Sequence, residues 1–270
     1  MKPSVFPREA FFIMKFVKTE IRDRIGYIIL NRPEKRNALN SEFVNEIKES
    51  IQNFETEAGV RAVILKSSGE VFCAGADLDY LQQLQKFNYE ENLADSQNLS
   101  ELFKLIYGFP KPVISLVNGP ALAGGCGLAS VCDICFATPN SSFGYTEAKI
   151  GFIPAIVMVF LKKKVGEAIS KKLLLTGEIF NADKALHYGL ITEIVEADKI
   201  YDYAHDWVVN MIKHSSGNSI AMIKQMYNSI DSLTLNEALN YACEMNAKAR
   251  ETDDCKRGIS SFLNKQKINW

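Results

Sequence analysis

The chain has few histidines, almost no net charge and no long apolar run. Its 270 residues include three histidines, His187, His205 and His214, all late in the sequence. A metal centre or a serine–histidine–aspartate triad needs histidine grouped with other ligands or with a nucleophile. No such pattern accompanies these three, so neither a metal site nor peptidase chemistry is expected. A formal net charge of -1 offers no basic excess to hold a nucleic-acid backbone. No segment reaches the roughly 18 apolar residues that span a bilayer; Ala155–Leu161 is far too short. Phe11–Met14 is apolar but follows Glu9 and leads to no small-residue cleavage site, so a cytoplasmic protein without a secretory signal is expected. Met14 can serve as initiator, which would make residues 1–13 an extension. The six cysteines lie mostly in apolar stretches of a large chain. Cys132 and Cys135 have CxxC spacing but no second pair, and they read as reduced, buried thiols.

What is present is ordinary globular composition, 47% hydrophobic and 23% charged, with strands and helices in alternation. Tyr27–Leu30 is a short apolar run that ends before Pro33, which lacks a ladder donor. Ser41 opens a helix on which Phe43, Ile47, Ile51 and Phe54 recur every three or four residues, giving it one apolar face. Ala62–Leu65, Val113–Val117, Ile134–Ala137 and Ile191–Val195 read as further strands. Small-residue turns follow two of them, Ser67-Ser68-Gly69 and Asn118-Gly119-Pro120. This repetition predicts an α/β architecture. From about residue 200 only helical periodicity remains. The expected division is an extension over 1–13, a core over 14–200 and a helical subdomain over 201–270.

Three segments carry chemistry. In Val71-Phe72-Cys73-Ala74-Gly75-Ala76-Asp77-Leu78, Gly75 frees the backbone so that the Ala76 amide can face a cleft. In Asn118-Gly119-Pro120-Ala121-Leu122-Ala123-Gly124-Gly125-Cys126-Gly127, a helix opens on glycines, with unpaired amides able to meet negative charge. The segment has no Gly-Lys-Ser/Thr for a phosphate loop and no GxGxxG spacing for a dinucleotide. In Phe143-Gly144-Tyr145-Thr146-Glu147-Ala148, a glutamate precedes an apolar stretch, where a dry setting would suit it to carrying protons.

Taken in order, these segments resemble the enoyl-CoA hydratase/isomerase (crotonase) family. Asn31-Arg32-Pro33 with Asn37-Ala38-Leu39, and Gly258–Lys265 near the end, extend the likeness from about residue 16 to 270. The resemblance implies a crotonase-like core, a repeated ββα spiral as in the Clp protease/crotonase superfamily. It also implies an acyl-CoA substrate, no cofactor beyond the CoA of that substrate, and a homotrimer or hexamer. Catalytic roles fall on Glu147 and on the oxyanion-hole amides of Ala76 and Gly124. CoA contacts fall on Lys35, Asn37, Ala38, Ala74, Asp77, Phe262 and Lys265, with Tyr145 and Gly127 as accessory positions.

One departure stands out. Two-glutamate hydratases of the family carry a first carboxylate where this chain has Gly127 and a second where it has Glu147. The retained residue is the one that handles the proton on C2. Hydration is placed first, with a branched, methylglutaconyl-type acyl group suggested by a looser likeness of Gly144–Glu147 and Pro154–Met158. Single-glutamate Δ3,Δ2-isomerisation and non-catalytic acyl-CoA binding are the alternatives. Dehalogenation would need an aspartate nucleophile, and Asp133 falls away from the cleft.

Overall fold

The computed structural model describes residues 14–270; the expected extension over 1–13 lies outside them. In chain order the elements begin with β1 (Val17–Arg22), β2 (Ile25–Leu30), α1 (Ser41–Thr56), β3 (Ala62–Ser67), α2 (Leu78–Leu84) and α3 (Tyr89–Gly108). Then come β4 (Val113–Val117), β5 (Pro120–Leu122), α4 (Gly124–Ser130), β6 (Ile134–Ala137), β7 (Ser142–Gly144), α5 (Ala155–Thr176), β8 (Ile179–Asn181), α6 (Ala182–His187) and β9 (Glu193–Ile194). Four helices finish the chain, α7 (Ile200–His214), α8 (Gly217–Ile230), α9 (Leu235–Glu251) and α10 (Asp253–Leu263).

The six-stranded sheet runs β1-β2-β3-β4-β6-β9. Only the β1–β2 pair is antiparallel. All five residues of β4 are buried, as expected of a central parallel strand covered on both faces. A second sheet, β5-β7-β8, meets the loop that follows β3 through the Cys73–Ala121 bridge. These short strands give little periodic signal, and the sequence pattern does not show them. The Ile191–Val195 run shrinks to the two-residue β9 because only Glu193 and Ile194 find ladder partners, Phe136 and Ala137.

Helix α1 forms as its periodicity predicts. Phe43, Ile47, Ile51 and Phe54 are all buried, and the Asn40 side chain caps the first turn by accepting from the Phe43 amide. One core lies between the large sheet and α1, α3, α4 and α5. A second lies on the opposite face, where Ile200, Ala204, Val208 and Ile212 of α7 cover Ile25, Ile64, Ile114 and Phe136. Helix α7 therefore packs directly on the large sheet and forms its second core. Helices α8–α10 remain the peripheral set. Helix α5 is broken at Gly166, whose φ of 77° is not helical.

The CxxC thiols lie where α4 ends and β6 begins. Both are free and buried, and burial pushes them up to about 12 for Cys132 and about 11 for Cys135. Asp133 between them accepts from the Val113 amide and pairs with Lys224 of α8, so it is committed to structure.

Candidate active site

Two backbone loops meet at the carboxyl ends of β3 and β4. The first leaves β3 through Ser67–Gly69 and is pinned by Asn118, which accepts from the Ser67 hydroxyl at 2.8 Å and donates to the Gly69 carbonyl at 2.8 Å. It then runs beside β5: the Phe72 amide donates to Pro120 at 3.0 Å, and Leu122 donates back to Cys73 at 2.9 Å. The residues flanking Ala76 are clamped to Leu39, with Leu39 N–H to the Gly75 carbonyl at 2.6 Å and Asp77 N–H to the Leu39 carbonyl at 2.9 Å. Ala76 itself is exposed. A strand alternates its hydrogen-bonding directions, so a residue held on both sides in this way turns its own N–H outward.

The second loop leaves β5 at Ala123, whose φ of 50° and ψ of -126° are unusual for a residue with a side chain. That turn places Gly124 at the first position of α4, where its N–H precedes the helical ladder. The two loops are pressed together. A Cβ on Gly75 would sit 2.9 Å from the Ala123 Cβ, and a Cβ on Gly125 would sit 2.7 Å from the Cys73 Cβ. Only glycine allows such an approach, and at Gly75 the φ of 92° demands it as well. The Ala76 and Gly124 amides thus belong to abutting loops, an arrangement suited to sharing one oxygen.

Glu147 is delivered by β7. The Ala123 amide donates to the Gly144 carbonyl at 2.7 Å, and three residues later Glu147 opens a short 3-10 turn. Its side chain is half-buried, and Oε2 is buried without a hydrogen-bond partner. Burial raises its pKa, and a bond to its own backbone opposes the shift only in part. A dry carboxylate with a free oxygen is ready to take a proton.

Other expected residues have structural duties. Asn37 is buried, and its amide nitrogen donates to the Ser68 and Val71 carbonyls at 3.0 and 2.8 Å. Its Oδ1 accepts from the Arg32 amide at 2.7 Å, so this side chain holds the loop. Asp77 is 3% exposed. Its Oδ1 caps α2 by accepting from the Asp79 and Tyr80 amides, and Oδ2 faces the Arg32 guanidinium at 2.6 Å. Burial alone would raise the Asp77 pKa, but the Asp79 amide and Arg32 outweigh it and hold the group low. Tyr145 is fully buried, with its hydroxyl 3.2 Å from Ser130 Oγ. Its hydroxyl is engaged by Ser130 of α4.

Ala38 is buried and passes its carbonyl to Arg32 at 3.0 Å. Ala74 is partly exposed, with its amide on the Arg36 carbonyl. Lys35 is exposed, pairs with Asp79 at 2.7 Å and has its pKa raised by that bond. Phe262 and Lys265 are exposed at the end of α10, which packs on α9. Gly127 is buried, and its missing side chain is replaced by Val157 of α5 and Phe103 of α3. Arg32 and Val157 fall inside the family motifs without an expected role there, and Phe103 reads locally as a core apolar group, so the sequence does not show that Val157 and Phe103 meet at Gly127.

Among the described residues no group of three or more histidine, cysteine, aspartate or glutamate side chains is placed to hold a metal ion, and no helix is long and apolar enough to cross a membrane.

Two abutting backbone loops beside a half-buried carboxylate, on a crotonase-like fold, suit an enzyme of acyl-thioester chemistry. The sequence profile of the enoyl-CoA hydratase/isomerase family matches residues 20–270, and the chain belongs to that family. A Thermus thermophilus relative named "Putative enoyl-CoA hydratase" is 37% identical over 91% of this chain and 96% of its own. The crotonyl-CoA hydratase of Syntrophomonas wolfei is 31% identical over 93% of this chain and 96% of its own. Among solved structures, an enoyl-CoA hydratase from Shewanella pealeana superposes with a TM-score of 0.91 at 28% identity, covering 96% of this chain and 97% of the other. The chain is an enzyme of the hydratase/isomerase type, acting on acyl-CoA.

Proposed function

We propose that Glu147 is the sole carboxylate base of this site and that it moves the C2 proton of an enoyl-CoA. The observation that carries the reading is the half-buried Glu147 carboxyl with a partnerless oxygen, set beside an α4 that has glycine where a second acid would stand. The thioester carbonyl accepts from the Ala76 and Gly124 amides. Each such donor contributes roughly 3–4 kcal/mol as the oxygen gains charge. Glu147 takes the proton from C2 of a 3-enoyl thioester, and the electron pair delocalises onto the thioester oxygen. The protonated Glu147 then returns the proton at C4, and the double bond moves from C3–C4 to C2–C3. No proton is gained or lost overall. This Δ3,Δ2-isomerisation needs one carboxylate.

Hydration is the second reading, favoured by the names of the relatives. It also uses Glu147 at C2, but it needs a further group to orient water toward C3. Tyr145 is occupied elsewhere, so that group would have to come from outside α4. A branched acyl chain stays compatible with either reaction.

Lys35 and the backbone of Ala38 and Ala74 lie along the loop that would carry the CoA moiety. Phe262 is 83% exposed and Leu263 72%, with Leu235 at 76% and Tyr227 at 68% on α9 and α8. Such an apolar face on peripheral helices suits burial against further copies of this chain. In a trimer or hexamer, Phe262 and Lys265 would then reach a neighbour's CoA.

The test uses purified protein with 3-hexenoyl-CoA and crotonyl-CoA, following the conjugated-thioester absorbance. A gain with 3-hexenoyl-CoA that disappears in Glu147→Gln supports isomerisation, and a loss with crotonyl-CoA supports hydration. Silence on both, with CoA-ester binding intact, points to a non-catalytic binder.

A further inference from the structure

Position 127 lies one helical turn beyond Gly124, so a side chain there would project from the same face of α4 as the oxyanion donor. The structure leaves no room for one. An added Cβ would fall well inside the contact radius of Val157 Cγ1, and 2.9 and 3.0 Å from the Cε1 and Cζ atoms of Phe103. Neither neighbour yields easily. Val157 is 4% exposed, and its branched Cβ leaves little χ1 freedom in a helix. Phe103 is fully buried and held against Phe160, with ring centroids 5.7 Å apart, and Phe160 in turn meets Tyr107 at 5.4 Å.

The polar atoms around this point are already paired. Ser130 Oγ donates to the Gly127 carbonyl at 3.1 Å and meets the Tyr145 hydroxyl. The wall is apolar and offers nothing to hold a water.

We infer that Val157, backed by Phe103, determines which reaction this site performs, by filling the space that a second carboxylate and its water would need. The inference rests on the reading of Glu147 as sole base and adds a cause for it. Glycine at 127 and valine at 157 form one packing unit: the small residue in α4 accommodates the large one in α5.

The experiment compares wild type, Gly127→Glu, Val157→Gly and the double variant, each assayed with 3-hexenoyl-CoA and crotonyl-CoA. The wild type reports on the underlying reading before any variant is made. Equal rates on both substrates would overturn that reading and this inference together. Gly127→Glu alone is expected to melt several degrees lower and to gain no hydration. The double variant is expected to recover the melting temperature and to raise crotonyl-CoA hydration at least tenfold over wild type. A double variant that melts normally and still isomerises, yet gains no hydration, overturns the inference. So does a Gly127→Glu variant that hydrates as well as the double. If the double variant does not fold, Val157→Ser decides. It is expected to raise the ratio of hydration to isomerisation several-fold by admitting water, and an unchanged ratio overturns the inference.

Discussion

Ala123 donates its amide proton to the Gly144 carbonyl across 2.7 Å, and this bond ties the Gly124 donor to the segment that carries Glu147. The two segments are therefore held in one backbone framework, and if they carry the proposed base and oxyanion donor, changes to either side of it should be read out in catalysis and in stability at once.

The rate should depend on the ionised form of Glu147. Burial raises its pKa, so the carboxylate becomes available only above the ordinary glutamate range of about 4.3. We expect kcat/KM for 3-hexenoyl-CoA to rise with pH through a single ionisation above that value. In Glu147→Gln the ionisation should vanish and the rate should drop about 10²- to 10⁴-fold. A pH–rate profile on wild type and variant checks both.

The same shift has a thermodynamic sign. A carboxyl that binds its proton more tightly when folded destabilises the fold once ionised. The cost is absent below the unfolded pKa and complete above the raised folded one. Glu147→Gln removes it, so the variant should melt higher than wild type near pH 7, with the difference shrinking as pH falls toward 4. Thermal melts across that range measure it, and a lower melting temperature for the variant at pH 7 would contradict the burial argument.

Arg32 and Asp77 form a buried ion pair that joins the Lys35 loop to the Ala76 loop. Arg32 Nη1 also holds the Ala38 carbonyl. Removing either partner leaves a buried charge without its mate, at a cost of about 3–5 kcal/mol. Urea unfolding of Arg32→Ala, Asp77→Ala and the double variant should show the double costing clearly less than the sum of the singles. Additive losses would mean that the pair does not act as a unit.

Ala123→Gly should stabilise the protein. Alanine at φ 50° and ψ -126° carries strain on the order of 1–3 kcal/mol, whereas the greater freedom of glycine in the unfolded chain costs roughly 0.4–1 kcal/mol. The net gain of about 1 kcal/mol corresponds to a melting temperature higher by about 2–4 °C for a chain of this size. Calorimetry tests this, and a lower melting temperature would show that packing of the Ala123 methyl over Gly75 outweighs the strain.

Much was legible in the sequence wherever a short window contains its own reason. The apolar runs of β3, β4 and β6 specify buried strands. The three-and-four spacing of Phe43, Ile47, Ile51 and Phe54 specifies the inner face of α1. The ordered motifs around Ala76, Gly124 and Glu147 identify the family. The departure at Gly127 is visible as a single letter. What only the tertiary structure decided depends on partners distant in the chain. That Val71 and Arg32 engage the side chains of Asn37 and Asp77, and Ser130 that of Tyr145, depends on partners far along the chain. Periodicity shows that α7 has an apolar face but not that this face closes the second side of the sheet. Residue type and spacing report local period and composition. The lack of space at Gly127 is set by the packing of Phe103 in α3 and Val157 in α5 against α4.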